Sequence, residues 1–185
     1  MQKTATKNWV SESIELFLLT PEAVSADYVA WLQDPEVGRY LESRFATHDL
    51  ISTRAFVADM LESESNLFLG IRSVALGRHV GNIKLGPIDR RHGTAEIGLM
   101  IGDRGAWGKG LATEAIDRIS RIAGDELGLR KVTAGCYAGN VGSERAFLKC
   151  GFQIEGRRPA QVICDGKPED LVLMGRLLGQ RGKNS

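Results

Sequence analysis

Two periods of apolar residues alternate along this chain, and one stretch shows both. Ile97, Leu99 and Ile101 fall on one face at period two, with Glu96, Gly98 and Met100 on the other, which predicts a strand. After a glycine-punctuated break, Leu111, Ala115, Ile119, Ile122 and Ala123 recur at helical spacing opposite Glu114, Asp117, Arg118 and Arg121, which predicts an amphipathic helix. Upstream, residues 14–19 read as a first strand, and Thr20-Pro21 supplies an N-cap and a helix-starting proline. The helix that follows carries Val24, Tyr28, Val29, Trp31 and Leu32 and stops before Pro35. Residues 37–45 mix aromatic and charged side chains without a clear period. A second helix runs from about 49 to 61, with Leu50, Phe56, Val57 and Met60 as its apolar side. Residues 67–71 and 79–85 are strands joined by a turn at Gly77, hence an antiparallel hairpin.

Downstream of the long helix Gly128 marks its stop, and residues 131–137 form a strand with Val132, Ala134 and Cys136 on one face. Asn140 reads as the N-cap of a short helix closing at Gly151. Strands over 152 to about 158 and about 169 to 177 flank a loop containing Asp165-Gly166. The order of elements predicts a single α/β domain over residues 13–178, with a mixed sheet and helices on its faces, between polar tails at 1–12 and 179–185.

Charge and cysteine content narrow the function classes. Twenty-four Lys and Arg against twenty-three Asp and Glu give a net charge of +1, without the basic field of a nucleic-acid binder. Cys136, Cys150 and Cys164 are widely spaced, which suggests free thiols in a reducing cytosol and no zinc site. No apolar run approaches the roughly 18 residues that span a bilayer. These features lead us to expect a soluble cytoplasmic protein, with no metal, nucleic-acid or membrane partner, as a monomer or homodimer. His48, His79 and His92 form no spacing pattern and are expected at the surface or in loops.

A strand–loop–helix corner with Gly105, Gly108 and Gly110 in the loop can aim several backbone N–H groups at one point, at the positive end of a helix dipole. A Walker A loop is excluded because Leu111-Ala112 stand where its lysine and hydroxyl belong. A dinucleotide fingerprint fits poorly, since Gly108-Lys-Gly-Leu-Ala-Thr113 ends in Thr and lies past mid-chain. Trp107-Gly-Lys-Gly-Leu-Ala112 instead resembles the [QR]-x-x-G-x-[GA] pyrophosphate loop of the GNAT superfamily of N-acetyltransferases. Trp107 replaces the usual Gln or Arg, in a form similar to the branch that includes the ribosomal-protein N-terminal-alanine acetyltransferases. Asn140-Val-Gly-Ser-Glu-Arg-Ala-Phe-Leu-Lys-Cys-Gly-Phe152 resembles the same superfamily's N-x-x-S/A…G-F helix and strand.

That resemblance implies a mostly antiparallel GNAT-like sheet with a splayed strand pair, and acetyl transfer from acetyl-CoA as co-substrate to a primary amine. It implies backbone N–H groups from Trp107, Gly108, Lys109, Gly110, Leu111, Ala112 and Thr113 at the pyrophosphate, with Lys109 or Arg104 meeting phosphate charge outside it. It further implies backbone contacts from Leu99, Met100 and Ile101 to the pantetheine arm in the strand gap, and Asn140 on the arm's other side. Relatives place a proton-donating tyrosine where this chain has Phe147, so Ser143 becomes the candidate for a hydrogen bond to the leaving sulfur. Glu96, upstream on the pantetheine strand, is the expected general base, directly or through water. An acetyl-cysteine relay at Cys136 is disfavoured because the amine can attack directly.

The acceptor region corresponds to Arg39, Tyr40, Glu42 and Arg44, together with a loop from 157 to 170. Arg39, Arg44, Arg157 and Arg158 would suit a phosphorylated or acidic acceptor such as a nucleotide-linked amino sugar. The rival readings are a protein N-terminal amine, or a non-catalytic acyl-CoA sensor.

Overall fold

The computed structural model describes residues 8–179. Eight strands form one sheet in the order β1-β2-β3-β4-β5-β6-β8-β7. They span Trp9–Val10 (β1), Ile14–Leu18 (β2), Leu67–Ser73 (β3), Arg78–Leu85 (β4), Thr94–Ile101 (β5), Lys131–Tyr137 (β6), Gln153–Cys164 (β7) and Lys167–Leu177 (β8). Every neighbouring pair is antiparallel except β5 with β6. The helices are Ala26–Gln33 (α1), Pro35–Gly38 (α2), Leu50–Glu62 (α3), Leu111–Arg121 (α4) and Val141–Lys149 (α5).

Helices cover both faces, and each face has its own apolar cluster. On one, α4 lays Leu111, Ala115, Ile116 and Ile119 against Ile14, Leu16, Leu69, Ile83, Ile97 and Val132 of the sheet, and Ile122 just past its end joins them. Burying each Leu or Ile there stabilises the fold by roughly 1.5–3 kcal/mol, so the helical stripe suffices to hold α4 down. On the other face α1 and α3 enclose Leu19, Val24, Tyr28, Val29, Val57 and Phe68.

The expected strands, the Gly77 hairpin and the long helix are all present. The first helix starts later than expected: Pro21–Ala23 makes a single turn, Val24 is extended, and Ser25 rather than Thr20 caps α1 by accepting the Tyr28 N–H at 3.2 Å. Four other differences stand out. The expected N-terminal tail is partly structured: Trp9–Val10 pairs with β2, and Trp9 Nε1–H donates to Glu126 at 2.7 Å. The buried side of α3 is Thr53 and Val57, whereas Leu50 and Phe56 are largely exposed. His79 is not a loop residue. It lies on β4, ringed by Phe17, Tyr28 and Trp31 at centroid distances of 5.3, 5.8 and 5.1 Å, and burial pushes its imidazole below the usual value. Its Nε2–H faces two acceptors, Gly81 O at 2.7 Å and Asn82 Oδ1 at 2.9 Å, which fixes the neutral tautomer.

The fourth difference concerns the last hairpin. The segment 157–170, expected as a loop, is strand through Cys164 and again from Lys167. Between the pairs Arg158–Leu171 and Val162–Glu169 it carries a bulge, pinned by the Ala160 N–H to Asp170 Oδ1 at 3.0 Å. Pro159 lacks an N–H for the ladder and sits in that bulge, as proline does in strands.

Candidate active site

The parallel pair β5–β6 holds together only from Thr94 to Glu96 against Lys131 to Thr133. Beyond Glu96 the two strands part, while β4 stays on β5 to Ile101 and β8 stays on β6 to Tyr137. The result is an open V some five residues deep, roughly 16 Å at strand rise. Which backbone groups face it follows from pairing. Gly86 N–H donates to Glu96 O at 2.7 Å and Gly102 N–H to Val80 O at 2.9 Å, both on the β4 side. Alternate residues in an antiparallel strand bond the same neighbour, so Glu96, Gly98 and Met100 turn their backbone groups to β4. Leu99 and Ile101 turn theirs into the gap. Met100, expected as a backbone contact there, therefore offers only its side chain. The Ile101 carbonyl already accepts the Trp107 indole N–H at 2.8 Å, which leaves Leu99 N–H and C=O and Ile101 N–H unpaired.

Next to this edge lies a cleft of about 630 Å³, lined by Leu99, Met100, Ile101, Trp107, Gly108, Gly110, Leu111, Ala112, Thr113, Asn140 and Ser143. Gly108 and Gly110 take positive φ of 72° and 78°, and this left-handed turn aims the loop into the start of α4. The first intrahelical bond is Glu114 N–H to Gly110 O, so the N–H groups of Gly108 through Thr113 have no backbone partner. Trp107 differs, because its N–H donates to Arg104 O at 3.1 Å. Its role in the cleft passes to the side chain. Asn140 caps α5 by accepting the Ser143 N–H at 3.1 Å, which leaves the Asn140 amide donors and the Ser143 hydroxyl free to face the cleft.

Two cations expected at this site are placed elsewhere. Arg104 is drawn to Glu36 at 2.5 Å and Asp34 at 3.6 Å, and Lys109 is exposed and off the cleft wall. Arg145 and Lys149 line the cleft instead, one helical turn apart on α5. Sequence reading passed over them, although an i, i+4 cation pair on a helix capped by Asn140 is a visible signal. Unpaired donors, a helix N-terminus and two cations on one wall suit a ligand carrying several phosphates.

A second cavity of about 520 Å³ opens on the far side of the gap, lined by Tyr40, Glu42, Glu96, Thr133, Tyr137, Glu155, Arg158, Leu171 and Leu173 among others. Among the described residues Tyr40 alone lines both cavities, and its hydroxyl donates to Gly139 O at 3.1 Å. Glu96, where the strands part, lays its carboxylate near Gly135 of β6. Tyr137 donates to Glu42; burial first, then that carboxylate, raise the phenol's pKa and keep the proton on it.

Of the expected acceptor residues, the fold brings Tyr40 and Glu42 to Glu96 but not Arg44 or Arg39. Arg44 donates to Leu41 O, Ile163 O and the Tyr137 hydroxyl at 2.7, 2.7 and 3.0 Å, bracing the wall. Arg39 pairs with Asp165 at 2.7 Å and Arg157 with Glu144 at 3.7 Å. Phe147 is fully buried edge-on to Phe152, and burial pushes the Cys136 thiol up to about 11, which removes it as a nucleophile near neutral pH. Among the described residues no group of three or more His, Cys, Asp or Glu could hold a metal ion, and no helix is long and apolar enough to cross a membrane.

The family model described as an acetyltransferase (GNAT) domain matches residues 15–153. An uncharacterized N-acetyltransferase of Bacillus subtilis (strain 168), YoaA, is 29% identical over 154 residues, 82% of this chain and 86% of that protein. Among solved structures, the spermidine N-acetyltransferase of Vibrio cholerae in complex with CoA and spermine superposes with a TM-score of 0.79 at 18% identity, covering 89% of this chain and 95% of that one. The microcin C7 self-immunity acetyltransferase MccE, in complex with acetyl-CoA and AMP, gives 0.77 at 21%, covering 91% and 94%.

Proposed function

The chain belongs to the GNAT acetyltransferase family, and on that premise we propose that it transfers acetyl from acetyl-CoA to a small primary amine by direct attack within the β5–β6 gap. The observation that carries this reading is the meeting of two cavities at Tyr40, one built for phosphates and one holding an unpartnered Glu96. Acetyl-CoA supplies an activated thioester acyl group. The N–H groups of Gly108 through Thr113 hold its pyrophosphate, with Arg145 and Lys149 adding charge. Leu99 and Ile101 bond the pantetheine arm as a neighbouring strand would, with Asn140 opposite. Ser143 offers its hydroxyl to the sulfur, the role that Phe147 cannot fill. Glu96 takes the proton of the acceptor amine, directly or through one water.

The nucleotide-linked amino sugar loses most of its support, because Arg39, Arg44 and Arg157 are engaged within the protein. A protein N-terminus as acceptor rests on the Trp107 to Thr113 motif alone. The spermine and AMP named with the two structural neighbours keep small acceptors foremost. The test is release of free CoA thiol from acetyl-CoA, with and without a panel of amino sugars, polyamines, amino acids and N-terminal peptides. Thiol release should depend on amine for at least one class. Acetyl-CoA binding without turnover across the panel would identify a sensor.

Trp107 gives a narrower prediction. Trp107→Phe keeps the ring and removes the N–H that holds Ile101 O, a hydrogen bond worth about 0.5–1.5 kcal/mol. The KM for acetyl-CoA should rise roughly two- to tenfold, with kcat nearly intact. A KM equal to wild type would show that the indole donor does not shape the strand edge.

A further inference from the structure

Around the acceptor cavity, one charged group of each sign has no partner among the described residues. Its wall carries three carboxylates, Glu42, Glu96 and Glu155, and one guanidinium, Arg158. Glu42 accepts from Tyr137, whose hydroxyl also receives Arg44 at 3.0 Å. Glu155 is held by Lys131 Nζ at 2.6 Å. Among the described residues, Glu96 and Arg158 alone on this wall have charges with neither a hydrogen bond nor an ion pair. They stand at different ends. Glu96 lies opposite Thr133, which faces Gly175 on β8, whereas Arg158 faces Leu171 on the same strand. Four residues of β8 separate these levels, roughly 13 Å at strand rise.

From this arrangement we infer that the acceptor is a primary amine whose own chain ends in one anionic group, a carboxylate or a phosphate monoester. This rests on the acetyl-transfer reading above and deepens it. The amine lies at Glu96, where its proton is taken, and the anion meets the planar donor fork of Arg158. A second ammonium at that end would meet Arg158 as a like charge. A polyanion would find one free guanidinium only, since Arg39, Arg44 and Arg157 are engaged. Arg158 is thus the specificity-determining residue of the cavity. Pro159 and the bulge behind it set the direction from which the side chain enters.

The experiment compares straight-chain primary amines of matched length that end in carboxylate, phosphate monoester, hydroxyl or a second ammonium. Wild-type protein should show its lowest KM with one of the two anionic members, and which of them is lower identifies the anion. Arg158→Glu should raise that KM by on the order of ten- to a hundredfold, the loss of one charge-assisted hydrogen-bonding group. It should lower the KM of the diamine, and Arg158→Lys should recover part of the anionic preference. Calorimetric binding of acetyl-CoA serves as the folding control for both variants. If the hydroxyl or diammonium member is the best substrate and Arg158→Glu leaves the ranking as it was, the inference fails while acetyl transfer stands. If no amine of any class releases thiol, the acetyl-transfer reading itself fails.

Discussion

Glu96→Gln should lower kcat/KM for the acceptor amine by about 10²–10⁴ near neutral pH, the usual contribution of a positioned general base. The substitution keeps the shape and hydrogen-bonding reach of the side chain and removes only its capacity to take a proton. The demand on a base here is large. A primary alkyl amine with a pKa near that of lysine, about 10.4, is neutral in only roughly one molecule per thousand at pH 7.4. Glu42 and Glu155 line the same cavity, but Glu42 accepts the Tyr137 hydroxyl and Glu155 pairs with Lys131, which leaves Glu96 as the carboxylate of that wall without a partner among the described residues. The pH profile separates a base from a merely structural carboxylate. The variant's rate should climb close to tenfold per pH unit as free amine accumulates, and its deficit against wild type should shrink toward pH 10. A deficit constant across pH, or none, would remove Glu96 as the base. Calorimetric affinity for acetyl-CoA should not change, because Glu96 faces the acceptor side.

What the sequence made legible, and what it hid, divides along one physical line. Elements with one dry face announced themselves: β5 through Ile97 at period two, α4 through Leu111, Ala115 and Ile119 at period 3.6, β6 through Val132, Ala134 and Cys136. Local hydrogen bonding was equally readable, as at Asn140 capping α5. β7 was not. It is an edge strand exposed along nearly its whole length, so no side-chain alternation marks it, and Pro159 in its bulge reads locally as a loop. The short α2 and the turn at Glu42–Phe45 hold too few residues to show any period.

The candidate site divides in the same way. Its backbone half was readable because glycine spacing and strand periodicity dictate backbone geometry; even Met100 could have been excluded by parity, since it shares a backbone direction with Glu96. The side-chain half was not. Arg39 meets Asp165 and Arg104 meets Glu36 only because the fold brings distant segments together, and a list of four arginines cannot say which is free. The proposed acceptor rests on that distinction, because Arg158 is the guanidinium of the four that has no partner among the described residues.

Gly110→Val should abolish acetyl-CoA binding at concentrations that saturate wild type, a loss of at least a hundredfold. Gly110 sits at φ 78°, ψ −1° as the N-cap of α4. A β-branched residue in that region costs about 1–2 kcal/mol in backbone strain. No atom lies within 4 Å of where its Cβ would stand, so the free protein can fold around the strain. Gly110 lines the cleft, and a valine there would crowd the approach to the N–H groups of Gly108 through Thr113. Each charge-assisted hydrogen bond lost is worth about 1.5–3 kcal/mol, so losing two accounts for the expected drop. Gly77→Val is the matched control. Gly77 also has positive φ, 63°, and open surroundings, but lies in the β3–β4 turn away from both cavities. Thermal or chemical denaturation should show similar destabilisation for the two variants, with calorimetric affinity lost only for Gly110→Val. If both unfold alike and both still bind acetyl-CoA, the loop's N–H groups do not hold the pyrophosphate, and the phosphate affinity of the cleft must come from Arg145 and Lys149.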